Sequence, residues 1–210
     1  MLDLTKSESG GFILVNQFEV DRFTAGGELD PGFAEGGRLF PGKPGDATEN
    51  IISATTLDGK IYLSQSPSGY PTLTRFLENG FRDPSFGTNG RLVLSPAPGL
   101  VNYGAGRIAA DPKGRIFMWT GFEMVRINSD GSLDTTFGPP PGGFADTDAP
   151  LTGNETGCGC SFLPGSGPIR FGDDGTIIVM GADHIERVKS PPCYFSWFES
   201  HSESGGAGPI

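Results

Sequence analysis

The chain has 210 residues, of which 34 are Gly and 18 are Pro, yet 36% are hydrophobic, 16 are Phe and only 19% are charged. A solvated disordered chain is more polar and more charged than this, so the composition predicts a folded domain crowded with turns; no run approaches the roughly 18 apolar residues that span a bilayer as a helix. A formal net charge of −10 with no block of Lys or Arg disfavours nucleic acid, whose binding rests on phosphate neutralisation, and disfavours anionic membrane surfaces.

The first ten residues, MLDLTKSESG, contain no basic segment leading into an apolar one, so no secretory signal is legible. That leaves a cytosolic chain or one whose true N-terminus lies upstream. Gly11-Phe12-Ile13-Leu14-Val15 is a Gly turn followed by a β-prone apolar run, and the same device returns as DGKIYLS at 58 to 64, PKGRIFMW at 112 to 119 and DDGTIIVM at 173 to 180. Each predicts a largely buried strand.

A longer element follows each of the first three runs. Residues 22 to 39 read RFTAGGELDPGFAEGGRL, residues 75 to 92 read RFLENGFRDPSFGTNGRL, and residues 126 to 138 read RINSDGSLDTTFG. Arg22 to Asp30, Arg75 to Asp83 and Arg126 to Asp134 are each eight residues apart, and Phe33, Phe86 and Phe137 each follow their Asp by three. Successive copies are offset by 53 and then 51 residues, and a fourth begins at Arg187-Val188 but loses its Asp-x-x-Phe turn. Within residues 50 to 95 the pattern predicts four strands, near Ile51 to Ala54, Ile61 to Ser64, Leu73 to Phe76 and Arg91 to Leu94. Turns at Asp58-Gly59 and Asn79-Gly80 separate them, since these dipeptides accept the positive φ of tight hairpins. Four short antiparallel strands recurring about every 50 residues are the pattern of propeller blades.

The string DGKI…RFxxNGxxDxxFGxxGRL at 58 to 92, repeated as KGRI…RINSDGSLDTTFG at 113 to 138, resembles the delta-60 repeat of bacterial β-propeller-like proteins. The resemblance covers roughly residues 10 to 190 and implies a fold more than an activity: proteins with this repeat are mostly large, secreted or surface-associated, and of unassigned function. Ala34 stands where the repeat usually has Gly, and the third copy runs into Pro139-Pro140-Pro141.

The expected architecture is all-β, a β-propeller-like array of about 3.5 to 4 four-stranded antiparallel blades, partial or closed as a small ring. The repeats fall near 10–49, 50–100, 101–165 and, in part, 166–190; residues 191–210 form an atypical tail. The repeated Arg and Asp read as a bidentate bridge between the third strand and the turn, with the Asp also capping that turn. Asp83→Ala should therefore lower thermal stability. Phe33, Phe86 and Phe137 read as anchors between neighbouring blades, with ligand stacking the lesser alternative.

Other signals are weaker. Cys158 and Cys160 in GCGC, with Cys193 far downstream, lack the spacing and number of a structural zinc site and read as free thiols in a loop, a strained disulfide being the alternative. They sit in an insert, Pro139 to Gly167, that is a candidate binding loop because long loops on a scaffold often carry binding. Asn128 to Asp134 imitates a calcium loop but offers too few oxygen ligands. GAGRIA at 104 to 109 imitates a phosphate loop but leads into a strand. His184 and His201 are the two histidines, no Gly-x-Ser-x-Gly elbow occurs, and no nucleophile, base and acid assemble in sequence.

The reading is a non-catalytic binding or structural repeat module of a bacterial surface or secreted protein, with protein or carbohydrate as the possible partner and no cofactor or metal. An unpaired terminal blade would favour self-association. The alternative is a propeller enzyme, a glycan hydrolase or lyase using channel-mouth carboxylates such as Glu123 and Glu186.

Overall fold

The computed structural model describes residues 3–7, 10–42, 50–94, 106–119, 123–137, 144–146, 169–172, 177–180 and 185–188. They form four antiparallel sheets in chain order. The first contains β1 (Asp3–Lys6), β2 (Phe12–Val15), β3 (Val20–Phe23) and β4 (Arg38–Leu39). The second contains β5 (Ile51–Leu57), β6 (Lys60–Gln65), β7 (Thr72–Phe76) and β8 (Arg91–Val93). The third contains β9 (Ile108–Ala110), β10 (Ile116–Trp119), β11 (Glu123–Ile127) and β12 (Phe144–Asp146), and the fourth β13 (Ile169–Phe171), β14 (Ile177–Met180) and β15 (Ile185–Val188). Strands pair in sequence order within every sheet. Among the described residues there is no α-helix, and the chain is a partial β-propeller of three four-stranded blades and one of three strands.

Hairpin chemistry fixes the registers. Asp58 and Gly59 take φ of 49° and 72°, the conformation of a two-residue primed turn whose twist matches its strands, and so Leu57 faces Lys60. This carries β5 three residues beyond the expected Ala54. The first blade also takes in Asp3–Lys6, which pairs with β2 from Asp3↔Val15 to Lys6↔Phe12, upstream of the residue-10 boundary. A four-residue strand with a single apolar residue, Leu4, is too short to announce itself, and its pairing is imposed by β2.

Central strands of the second and third blades are buried on both faces because each lies between two neighbouring blades. On β6, Ile61 and Leu63 join the cluster with Ile13, Val15, Val20 and Phe33 of the first blade. Tyr62, pointing the opposite way, joins Ile108, Ile116 and Met118 of the third. The third and fourth blades meet through Phe117, Phe137, Ile169 and Ile177. Among the described residues there are thus three interblade cores and no single central one. The leading strands β1, β5, β9 and β13 lie alongside one another, and the Ile108 amide donates to the Ser53 hydroxyl at 3.2 Å. These strands mark the axis side, and each blade extends outward from its first strand to its fourth.

Candidate functional site

The nine repeated residues come together as three copies of one constellation, each built on the third strand of a blade and the turn beyond it. Local backbone bonds set the frame. The amides of Asp30, Asp83 and Asp134 donate to the carbonyls of Arg22, Arg75 and Arg126 at 2.8, 3.0 and 2.9 Å, and the amides of Phe33, Phe86 and Phe137 donate back to their Asp carbonyls at 3.1, 3.2 and 3.0 Å. The eight-residue and three-residue spacings are the lengths of those two closed loops.

Within each frame the carboxylate is divided. Oδ2 meets the guanidinium, at 2.9 Å for Arg22–Asp30, 2.9 Å for Arg75–Asp83 and 2.7 Å for Arg126–Asp134. Oδ1 accepts the turn amide of Gly32, Ser85 or Thr136 at 2.8, 3.0 and 3.0 Å. The expected two-oxygen fork is therefore replaced by a one-oxygen bridge, because the turn occupies the other oxygen. The guanidinium carbon also lies over the Phe ring three residues beyond the Asp, 4.8, 4.6 and 4.8 Å from the ring centres of Phe33, Phe86 and Phe137. Such a stack is favourable, more so when desolvated. These three Phe side chains are buried.

The third arm of the arginine leaves the blade. Arg22 Nη1 donates to the carbonyl of Glu78 at 2.5 Å, and Arg75 Nη1 donates to that of Ser129; both acceptors lie in the turn after the third strand of the following blade. Backbone bonds run beside them, from Ala34 N to Asn79 O and from Gly87 N to Asp130 O, each at 2.8 Å. Each turn presents a glycine to the preceding blade. A Cβ on Gly80 would stand 2.8 Å from the Phe33 ring and the Ala34 Cβ, and one on Gly131 would stand 2.5 Å from Gly87 N. The motif is a joint: Arg, Asp and Phe on one blade, and two carbonyls and a glycine on the next. The acceptors are backbone atoms, so no side-chain signature advertises them; the glycine five residues after each Arg is the one legible trace.

The copies differ at the second residue after the Asp. Ser85 and Thr136 carry hydroxyls that donate to Asp83 and Asp134 Oδ1 at 2.7 and 2.6 Å and accept from Arg75 and Arg126 Nη2 at 2.9 and 2.8 Å. The first copy has Gly32 there. Burial raises the Asp134 carboxyl pKa, but the Thr136 hydroxyl and amide and the Arg126 guanidinium outweigh it and hold the group at about 2. Asp83 is lowered in the same way, Ser85 and Arg75 overcoming burial.

An open surface groove of about 510 Å³ lies on the first joint, lined by Arg22, Asp58, Lys60, Leu77, Glu78 and Asn79. It offers both charge signs and is wide open to solvent. Asp130, in the calcium-like segment, accepts the Ser132 amide and hydroxyl at 2.8 and 2.7 Å, an Asx turn. Glu123 faces Asp146 in the β11–β12 ladder and Glu186 faces Val179 in β14–β15. Both belong to third strands, two strands out from the axis side. The loop carrying Cys158 and Cys160, and the tail from residue 191, lie outside the described residues.

A family model described as a domain of unknown function (DUF5122) β-propeller matches residues 120–137. The match coincides with one joint unit, from the third strand to the buried Phe137. No curated protein matches the chain. Among solved structures it is similar to a protein of unknown function from Bacteroides caccae, at 13% identity and a TM-score of 0.55 over 89% of this chain and 55% of that one. It is similar also to a catalytically inactive virginiamycin B lyase from Staphylococcus aureus, with quinupristin, at 14% identity and TM-score 0.56 over 90% and 52%. The major allergen Mala s 1 of Malassezia sympodialis matches at 10% identity and TM-score 0.55 over 88% and 58%. These likenesses establish the propeller fold. The chain spans 50% to 58% of the length of these structures and of a streptogramin B lyase that it also matches.

Proposed function

We propose that the chain is a non-catalytic binding or structural module of the delta-60 repeat kind, part of a bacterial surface or secreted protein, with a protein or carbohydrate partner. One observation carries the reading: the charged residues that recur in every complete copy are turned onto one another and, in the first two copies, onto the next blade, so that among the described residues they close turns and join blades. Repeated charges arranged for catalysis or ligand capture would instead converge toward the axis side. The open groove over the first joint, at Arg22, Asp58, Lys60 and Glu78, and the loop bearing Cys158 and Cys160 are the places where binding would be built. No helix among the described residues is long and apolar enough to cross a membrane.

The test is a glycan and bacterial-surface-protein array probed with the full chain, run beside assays for new reducing ends and for unsaturated lyase products on each glycan retained. Retention without turnover supports the module. Turnover that survives repurification would overturn it in favour of a propeller enzyme.

A further inference from the structure

We infer that the outer face of the first blade, formed by Phe12, Leu14, Phe23 and the Gly27 turn, is a docking site for one more blade of this repeat, one that carries an Asp-x-x-Phe-Gly turn between its third and fourth strands. The inference goes beyond the functional reading above and holds whether the module binds or catalyses.

Strand register defines the equivalent positions. Phe12 pairs with Phe23 as Ile61 pairs with Phe76 and Ile116 with Ile127. Two residues along, Leu14 corresponds to Leu63 and Met118, and Gly27, five after its Arg, corresponds to Gly80 and Gly131. In the second and third blades this face is sealed by the blade before it: Ile61 and Ile116 are each 1% exposed, and Leu63 and Met118 are 0%. In the first blade Phe12 is 46% exposed, Leu14 and Phe23 are half-buried, and Gly27 is exposed where Gly80 and Gly131 are buried. A Cβ on Gly27 would meet nothing within 4 Å, although its φ of 87° matches the 83° of Gly80 and the 88° of Gly131. The turn is already in the shape that its counterparts hold under a neighbour's Phe.

The polar half of the joint is ready as well. Ala25 and Gly26 stand where Glu78 and Asn79, and Ser129 and Asp130, offer carbonyls to the arginine and the turn amide of the preceding blade. No described residue donates to the carbonyls of Ala25 and Gly26. The occupant is identified by what fills the same socket twice within this molecule: a Phe ring over the glycine, an Arg to the first carbonyl and an amide to the second. A second copy of the chain is a poorer fit, because its Phe33, Phe86 and Phe137 rings are already buried.

The experiment extends the full chain with an additional copy of residues 50–106 ahead of Asp3 and follows amide hydrogen exchange across residues 11–29. A parallel extension carries Ala in place of Asp83 and Phe86 in the added copy only. The expected result is at least tenfold slower exchange around Thr24–Leu29 with the intact added blade and loss of that protection with the doubly substituted one. Equal exchange in the extended and unextended chains overturns the inference, as does protection that is indifferent to the two substitutions. Concentration-dependent protection in the unextended chain also overturns it, since the occupant would then be a second copy.

Discussion

Arg75 reaches out of its own blade to the backbone carbonyl of Ser129 in the next, while its charge is matched by Asp83 in its own turn. One side chain thus closes a turn and ties two sheets together. Because the acceptor is a carbonyl, the residue at 129 is free to vary; because the donor must also bridge a carboxylate and place its guanidinium carbon over the Phe86 ring, the residue at 75 is not. A planar guanidinium can do all three at once and a lysine ammonium cannot.

Removing the carboxylate should be costly. Arg75 and Asp83 are both almost fully buried, and deleting one partner of a buried pair typically costs about 3–5 kcal/mol through the stranded charge. Asp83→Ala is expected to lower the urea unfolding midpoint accordingly, whereas Ser129→Ala, on the exposed turn, should shift stability by less than about 0.5 kcal/mol. An unchanged midpoint in Asp83→Ala would remove the bridge as a stabilising element.

Acid should loosen the joints in a defined window. The Asp134 carboxyl is depressed to about 2 from the ordinary 3.8, and a depressed carboxylate stabilises the fold above its unfolded pKa. That contribution, about 1–2 kcal/mol after allowance for partial solvent screening, is present above pH 4 and lost between about pH 4 and 2. Asp83, lowered in the same direction, adds to the same loss. Unfolding free energy measured from pH 5 down to pH 2 should fall through this range, and Thr136→Val should flatten the slope.

Gly32→Ser should strengthen the first joint. A Cβ at Gly32 lies 3.2 Å from Asp30 Oδ1 and 3.9 Å from Arg22 Nη2, close to the two groups that the Ser85 hydroxyl engages in the second copy. The new hydrogen bonds should add about 0.5–1.5 kcal/mol, read as a higher melting temperature. No gain in melting temperature would mean that the hydroxyl in the other copies is incidental.

Gly131→Ala and Gly114→Ala separate packing from backbone strain. Both glycines have positive φ, 88° and 80°, so each alanine carries a left-handed penalty of about 1–3 kcal/mol. A Cβ at 131 also strikes the neighbouring blade, while one at 114 meets nothing within 4 Å. Gly131→Ala is expected to be the more destabilising by about 1–3 kcal/mol, the usual cost of overpacking. Equal effects would show that the turn glycine is not pressed by the preceding blade.

The blades were legible because their signals are local: Asp58-Gly59 dictates a hairpin, and the Arg, Asp and Phe spacings recur unaltered. What lay beyond the sequence is what one blade does to the next. Nothing in the identities of Glu78 or Ser129 marks their carbonyls as acceptors, and nothing in Phe12 says that it stands uncovered while Ile61 is buried. The carboxylate's division between turn and guanidinium was hidden for a related reason, since spacing brings Asp83 to Arg75 but does not say which oxygen the Ser85 amide will take.

The joint has a direction. One side contributes Arg, Asp and Phe, the other carbonyls and a glycine, and neither side complements itself. A contact made through it can never be two-fold symmetric, because an isologous interface requires each patch to match its own image. Assemblies that use the first blade's outer face must therefore be heterologous, closing into a ring or running on as a filament according to the rotation between successive blades.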